Sequence, residues 1–329
     1  MEIGITSDPL NILTSTKKVV DNSRYVKINY DKIPILAQSI NKRLKQGLES
    51  PSDNFGTTGG YENDVQLIFV EDVVNFCFWE EKGKEKWFVE WNGQQIRGGW
   101  YALKACFDRA LKEGTPILNS NYLKNFGLAE AESFFRSSNG ISIPMIMERI
   151  ENLREAGDVL VKKYDGKFIN LLEEASFDAI EVVQCLIKDF SSFRDIAEID
   201  GEKIYFLKRA QILAFDLSYL DQSNPKRKIK NIDKLTAFAD YKIPQMLRMS
   251  GVLEYSKELR KEVDDYSLIL AGSRKEVEIR SAGIWGIELI RRELDNRYTA
   301  GEIDNALWLI SQKESDNTKP YHRTYSIFY

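Results

Sequence analysis

In the stretch TAFADYKIPQMLRMSGVLEY (236–255), Asp240 stands in an aromatic setting, with Phe238 two positions before it and Tyr241 directly after. Pro244 suits the first turn of a helix, where its missing N–H has no partner to lose, and Gly251 offers a left-handed stop. Asp240 then lies at the mouth of that helix, where unpaired N–H groups and the macrodipole favour negative charge, so its carboxyl is expected to stay ionised at neutral pH. Two roles fit. The plain one is a capping or turn aspartate, and the residues alone favour it. The chemical one is a carboxylate beside flat faces on which a heterocyclic base could stack, placed to stabilise a developing sugar cation.

Other chemistries are poorly supplied. The single histidine, His322, leaves too few ligands for an ordinary zinc site and makes a Ser-His-Asp arrangement improbable. Cys77, Cys106 and Cys185 are far apart, odd in number and without CxxC spacing, which points to a reducing compartment rather than a disulfide framework. The net charge of −4 argues against a long nucleic-acid partner, whose phosphates demand a basic balance, but permits a single nucleotide in a local positive pocket. No metal and no cofactor is expected. Apolar runs such as VQLIFV (65–70) are too short to span a bilayer, and the start MEIGITSDPLN lacks the pattern of a signal peptide, so a cytoplasmic protein without a membrane partner is expected.

The elements that must position Asp240 read as helices. Amphipathic spacing predicts them over 30–47 (with Asp31 as cap), 101–114, 141–157, 177–190, 203–220, 274–294 and 302–311. Residues 48–64 read as loop. Between 86 and 100, alternating Trp87, Val89 and Trp91, the Asn92-Gly93 turn signal and Ile96 predict a β-hairpin. The basic run PKRKIK (225–230) reads as a solvated loop, and the acids of 274–293 as structural support, with Glu276 and Arg280 spaced for an i,i+4 ion pair. With 43% hydrophobic residues and no evident linker or repeat, the chain of 329 residues is expected to be one mainly α domain with a small β element. Within it, 12–114 would supply N-terminal helices plus the hairpin, and 115–329 the helical part that carries the site.

Nine blocks, in order, give the chain a resemblance to the queuosine salvage family, the queuosine 5′-phosphate N-glycosylases. They are VEDVVNFCFW (70–79), WNGQQIRGGWYALKACFDRALKEGTPI (91–117), ISIPMIMERIENLREAG (141–157), SSFRDIA (191–197), FLKRAQILAFDL (206–217), TAFADYKIPQMLRMSGVLEYS (236–256), RKEVEIRSAGIWGIELIR (274–291), EIDNALW (302–308) and PYHRTYSIFY (320–329). The resemblance runs from about residue 12 onward. It implies a helical fold similar to the helix-hairpin-helix DNA glycosylases, and release of queuine, a modified 7-deazaguanine, from queuosine 5′-phosphate. It also raises Asp240 from cap to catalytic group.

Residue by residue, the resemblance implies that Phe238 packs on the base, and that Asp304 and Trp308 of DNALW stand at the queuine pocket. An anionic Asp304 would suit queuine's protonated amine and ring hydroxyls. Tyr241, Asn75 and Phe78 complete the expected base contacts, with the Asn75 amide as donor to a base edge, because a 7-deaza base lacks the usual N7 protonation site. Lys208, Arg209, His322 and Arg323 are the candidates for the 5′-phosphate. Two departures stand out: residues 50–64 lack a histidine that some relatives have, and Leu309 replaces an acid after the tryptophan. A monomer acting on a small nucleotide is expected; a base-excision glycosylase or a non-enzymatic nucleobase carrier on the same scaffold are the alternatives.

Overall fold

The protein is described here by a computed structural model that covers residues 5, 7–47, 58–97, 99–220, 224–312 and 318–329. Helices dominate. In chain order the elements are α1 (Ile12–Asp21), β1 (Val26–Ile28), α2 (Ile33–Lys45), α3 (Tyr61–Val73), β2 (Val89–Trp91), β3 (Gln94–Ile96) and α4 (Gly99–Lys112). Then follow α5 (Ser120–Lys124), α6 (Leu128–Phe134), α7 (Ile146–Lys163), α8 (Ile169–Glu174), α9 (Ala179–Asp189), β4 (Ile196–Ile199), β5 (Glu202–Tyr205) and α10 (Lys208–Leu217). The chain continues with α11 (Lys242–Met249), β6 (Leu253–Tyr255), α12 (Lys257–Asp264), α13 (Arg274–Glu293) and α14 (Ala300–Ser311).

The strands form three antiparallel pairs, β1–β6, β2–β3 and β4–β5. The predicted hairpin is present as β2–β3, with Val89 opposite Ile96 and both turn residues, Asn92 and Gly93, at positive φ (50° and 73°). The same two-residue chemistry recurs at Asp200-Gly201, φ 53° and 79°, between β4 and β5. This corrects the expected helix at 203–220: its first residues pair as β5, and α10 begins only after Leu207, which sits at φ 53°. Asp31 does not cap α2 either; Asn29 accepts from the Asp31 N–H in the short 3₁₀ turn that precedes it.

One contiguous apolar core runs from Leu10 to Leu307. At its centre lies α3, buried on every side from Val65 through Val73, so its sequence carries no amphipathic stripe. The polar groups it brings inside are only partly partnered: Glu71 Oε2 and Asp72 Oδ2 have no hydrogen bond among the described residues. Gln66 accepts from the Phe168 N–H at 2.8 Å, and Glu71 pairs with Lys104 at 3.2 Å.

The long helix α13 fixes α11, and so the turn before it. Gly283 and Gly286, three apart, present no side chain to α11. A Cβ on Gly286 would come within 2.7 Å of Leu247 Cδ1, and one on Gly283 within 3.2 Å of Pro244 Cγ. Beyond α11, Gly251 at φ 79° turns the chain into β6, whose pairing with β1 (Leu253 with Ile28) ties the segment to the N-terminal region. Asp240 therefore stands on a stretch held at both ends. Among the described residues, no helix is long and apolar enough to cross a membrane.

Candidate active site

The turn at Phe238–Lys242 forms one end of a cavity of about 140 Å³. Facing it are the loop Asn75–Phe78 after α3, Gly99 and Trp100 at the start of α4, one face of α10, one face of α14, and Tyr329. The α10 face consists of Lys208, Ile212, Phe215 and Asp216, an i, i+4, i+7, i+8 stripe; α14 contributes Asp304, Asn305, Trp308 and Gln312.

Asp240 does what a residue at a helix mouth can do. Its Oδ1 accepts from the backbone N–H groups of Lys242 (2.8 Å) and Ile243 (2.9 Å), two of the donors that α11 would otherwise leave unpaired. The cap reading and the cavity reading thus describe one side chain, since Asp240 also lines the cavity and is half-buried. Its backbone is clamped on both sides. The Phe238 N–H donates to Asp304 Oδ2 at 2.9 Å, and Arg280 Nε donates to the Ala239 carbonyl at 2.9 Å. Arg280 is held in turn by Asp195 (2.6 Å) and Glu276 (3.3 Å), and Glu276 accepts from the Tyr329 hydroxyl at 2.9 Å.

Burial pushes the Asp240 carboxyl above its ordinary value, opposed by the Lys208 ammonium and by the two backbone N–H groups. The carboxylate is thereby more basic than a surface aspartate, whereas the helix mouth alone predicts a lowered value. Asp304 is more strongly affected: burial, then the charge of Asp240, push it well above the carboxylate range, against the Phe238 N–H and Lys208. Both effects work against the anion expected there, while a cationic ligand group beside it would favour the ionised form. Lys208 is drawn down by burial, with Asp240 as the leading opposing charge.

Of the residues singled out in the sequence, Asn75, Phe78, Lys208, Phe238, Asp240, Tyr241, Asp304 and Trp308 meet at this cavity. Phe238 is buried and lies 5.3 Å from the Phe215 ring, and the Tyr241 ring sits tilted at 39° against Tyr321, centroids 4.8 Å apart. Phe78 depends on the bare Gly99, where a Cβ would fall 2.2 Å from its own. The Asn75 amide already donates to Asp72 Oδ1 at 3.0 Å.

Arg209 and His322 do not line the cavity. Arg209, one residue on from Lys208 and so about 100° around the helix, turns inward and donates to the carbonyls of Asp72 (3.0 Å), Val73 (2.5 Å) and Ser192. His322 is buried, its Nε2 3.2 Å from the Tyr329 hydroxyl, and burial together with Arg280 pulls it down to about 3, so it is neutral. Arg323 is also buried, its guanidinium 4.3 Å from the Tyr266 ring centre. Residues 48–57, most of the loop in which the missing histidine was sought, lie outside the described residues.

Sequence reasoning passed over Asp216, Trp100, Lys242 and Asn305, all on the cavity wall. The usable signal was on α10, where Lys208 and Asp216 interrupt the apolar stripe of the helix; charged residues on the inward face are rarely left there without work to do.

Comparisons with known proteins agree with the resemblance seen in the blocks. A family model described as queuosine salvage protein matches residues 57–329. A protein of Sphaerobacter thermophilus is 37% identical over 327 residues, 98% of each chain. One of Mus musculus is 33% identical over 338 residues, covering 98% of this chain and 99% of its own, and one of Schizosaccharomyces pombe is 31% identical over 329 residues, 94% of each. All three are named queuosine 5′-phosphate N-glycosylase/hydrolase. The chain belongs to the queuosine salvage protein family.

Proposed function

We propose that this family member hydrolyses the N-glycosidic bond of queuosine 5′-phosphate, releasing queuine and ribose 5-phosphate. The chain-long similarity to proteins named for that reaction supports it. The observation that carries the chemistry is Asp240: a half-buried carboxyl, fixed by two N–H donors and a clamped backbone, on the wall of a cavity lined by aromatic rings.

In this reading Asp240 faces the anomeric carbon. As the bond to the base breaks, positive charge grows on the ribose, and a preorganised carboxylate stabilises it without reorganising. Its raised basicity suits it to take a proton from the attacking water. Phe238 and Trp308 flank the base, while Tyr241, Phe78 and the Asn75 amide border it. Asp304 meets queuine's ammonium, whose charge favours its ionised form. Lys208 and Lys242 are the cations of the cavity wall and the candidates for the 5′-phosphate, in place of Arg209, His322 and Arg323.

We take the helical arrangement to be of the helix-hairpin-helix glycosylase type, with support from the aspartate at the start of α11. We take the chain to be one domain that acts as a cytoplasmic monomer. The net charge of −4 disfavours nucleic acid as substrate.

Incubating the protein with queuosine 5′-phosphate and following free base by chromatography tests the reading. Stoichiometric queuine and ribose 5-phosphate are expected, and neither from Asp240→Asn. Folded protein that binds queuine yet releases none from the nucleotide would mean a carrier instead.

A further inference from the structure

Among the carboxyls of the cavity wall, Asp216 is unlike the others. Asp240 and Asp304 both accept backbone N–H groups. Asp216 is only 7% exposed, lines the cavity, and among the described residues its carboxyl has neither a hydrogen bond nor an ion pair. A buried acid without a partner is costly to keep, unless something else supplies the partner.

Its place on the helix says which part of a ligand it would meet. Asp216 follows Lys208 by eight residues on the same face of α10, about 12 Å farther along the axis at 1.5 Å per residue. Lys208 stands at the Asp240 end, where the sugar is held in the reading above. A base projecting from that sugar along α10 therefore brings its far edge, not its glycosidic nitrogen, toward Asp216. In a 7-deazaguanine that far edge is the pyrimidinone, with a ring N1–H beside an exocyclic 2-amino group: two parallel donors. A carboxylate is acceptor-only with two oxygens, the complement of that pair.

We propose that Asp216 is the residue that reads the base, its carboxylate accepting from N1–H and the 2-amino group of the 7-deazaguanine ring. The inference rests on the queuine reading of the cavity but not on turnover. Burial, then the charges of Asp72 and Glu71, push the Asp216 carboxyl well above the ordinary range. A double donor at its oxygens opposes that shift by favouring the ionised form. A site built this way rejects a base that lacks the amino group, because the acid is then left half-paired in a buried place.

The test measures binding of free base, so it stays separate from catalysis. Queuine and its analogue lacking the 2-amino group are titrated calorimetrically into wild type and Asp216→Asn. Wild type should prefer queuine by about 10–100-fold, the worth of a hydrogen bond to a charged group. Asp216→Asn should bind queuine weaker by a similar factor, bind the analogue about as wild type does, and discriminate less than about threefold. Equal affinity of wild type for the two bases overturns the proposal, and this arm needs no variant to fold. Equal weakening of both bases in Asp216→Asn, with near-UV dichroism unchanged, overturns it too. Protein that discriminates as expected but releases no base from the nucleotide supports this inference while sinking the hydrolase.

Discussion

The buried acids of α13 and those of the cavity wall are the same residue type in opposite situations. On α13, Glu278 accepts from the Ser23 hydroxyl (2.7 Å) and from the N–H groups of Arg24 and Tyr25 (3.0 and 2.7 Å), fastening the approach to β1. Glu288 is closed by Arg291 and Arg292 at 2.7 and 2.6 Å, and Glu276 by Arg280 and Tyr329. On the cavity wall, Asp304 takes one N–H, Asp216 takes nothing among the described residues, and Asp240 keeps a face toward the cavity. In these two groups, completed partner sets tie the acids of α13 into the scaffold, while the acids of the cavity wall are left with incomplete ones. Burial alone separates nothing, since both groups are buried or nearly so.

The sharpest way to break this contrast is at Asp240. Asp240→Asn keeps the shape and the chance to accept from α11, so the protein should fold and bind queuine within about threefold of wild type. Single-turnover base release should nevertheless fall about a thousandfold or more, the scale of a lost electrostatic and general-base group. A variant that keeps a tenth of the rate would put Asp240 among the scaffold acids.

Next in size is Arg280. Removing it as Arg280→Met strands Asp195 and Glu276 as buried charges and unties the Ala239 carbonyl, so denaturant unfolding should report a loss of about 3–5 kcal/mol. Arg280→Lys should restore part of the stability but not the bridge to Ala239, and base release should stay depressed. Full catalytic recovery with lysine would show that the clamp on the Asp240 backbone is idle.

His322 sharpens the comparison through pH. Its folded value is lowered to about 3, against about 6.5 in the unfolded chain. Below about pH 6.5 the unfolded state takes a proton that the fold refuses, so stability falls by about 1.4 kcal/mol per pH unit down to about pH 3. Glu71, raised to about 7 by burial, works the other way and favours the fold as pH drops from about 7 toward 4.5. The two separate in a difference measurement: His322→Asn should unfold less steeply with acid, gaining about 3 kcal/mol on wild type between pH 7 and pH 4. Parallel pH curves for the two proteins would refute a neutral His322.

The smallest effect is expected at Glu278. Glu278→Gln weakens its contacts at the start of β1 and should cost about 1–3 kcal/mol by thermal or chemical unfolding. Its kcat/KM at a temperature well below the transition should match wild type within about twofold. A larger kinetic effect would blur the line between the two groups of acids.

Much of this was legible in the residues, for physical reasons that vary by element. Asn92-Gly93 announces a hairpin because few pairs tolerate two positive φ values, and Asp240 with Pro244 announces a helix mouth. Central α3 was missed because a helix buried on all sides has no polar face to give a period. The start of α10 was misjudged because Asp200-Gly201 went unrecognised as a turn. Lys208 and Arg209 look alike in a sequence, yet one lines the cavity and the other turns inward, toward the carbonyls after α3. Only packing chooses between them. Asp216 could be quoted in a block without being noticed, since a missing partner is invisible until the neighbours are in place.

The loop from Val74 to Cys77 carries a further consequence. Arg149 donates to its carbonyls at Val74, Phe76 (2.5 Å) and Cys77 (3.0 Å), while its Nε reaches Pro144 at 3.0 Å. This wall is therefore set when the chain folds, and an arriving nucleotide need not freeze it. Association across it should be fast and nearly rigid, and loosening it from behind, at Arg149, should slow the on-rate without touching a single atom that meets the ligand.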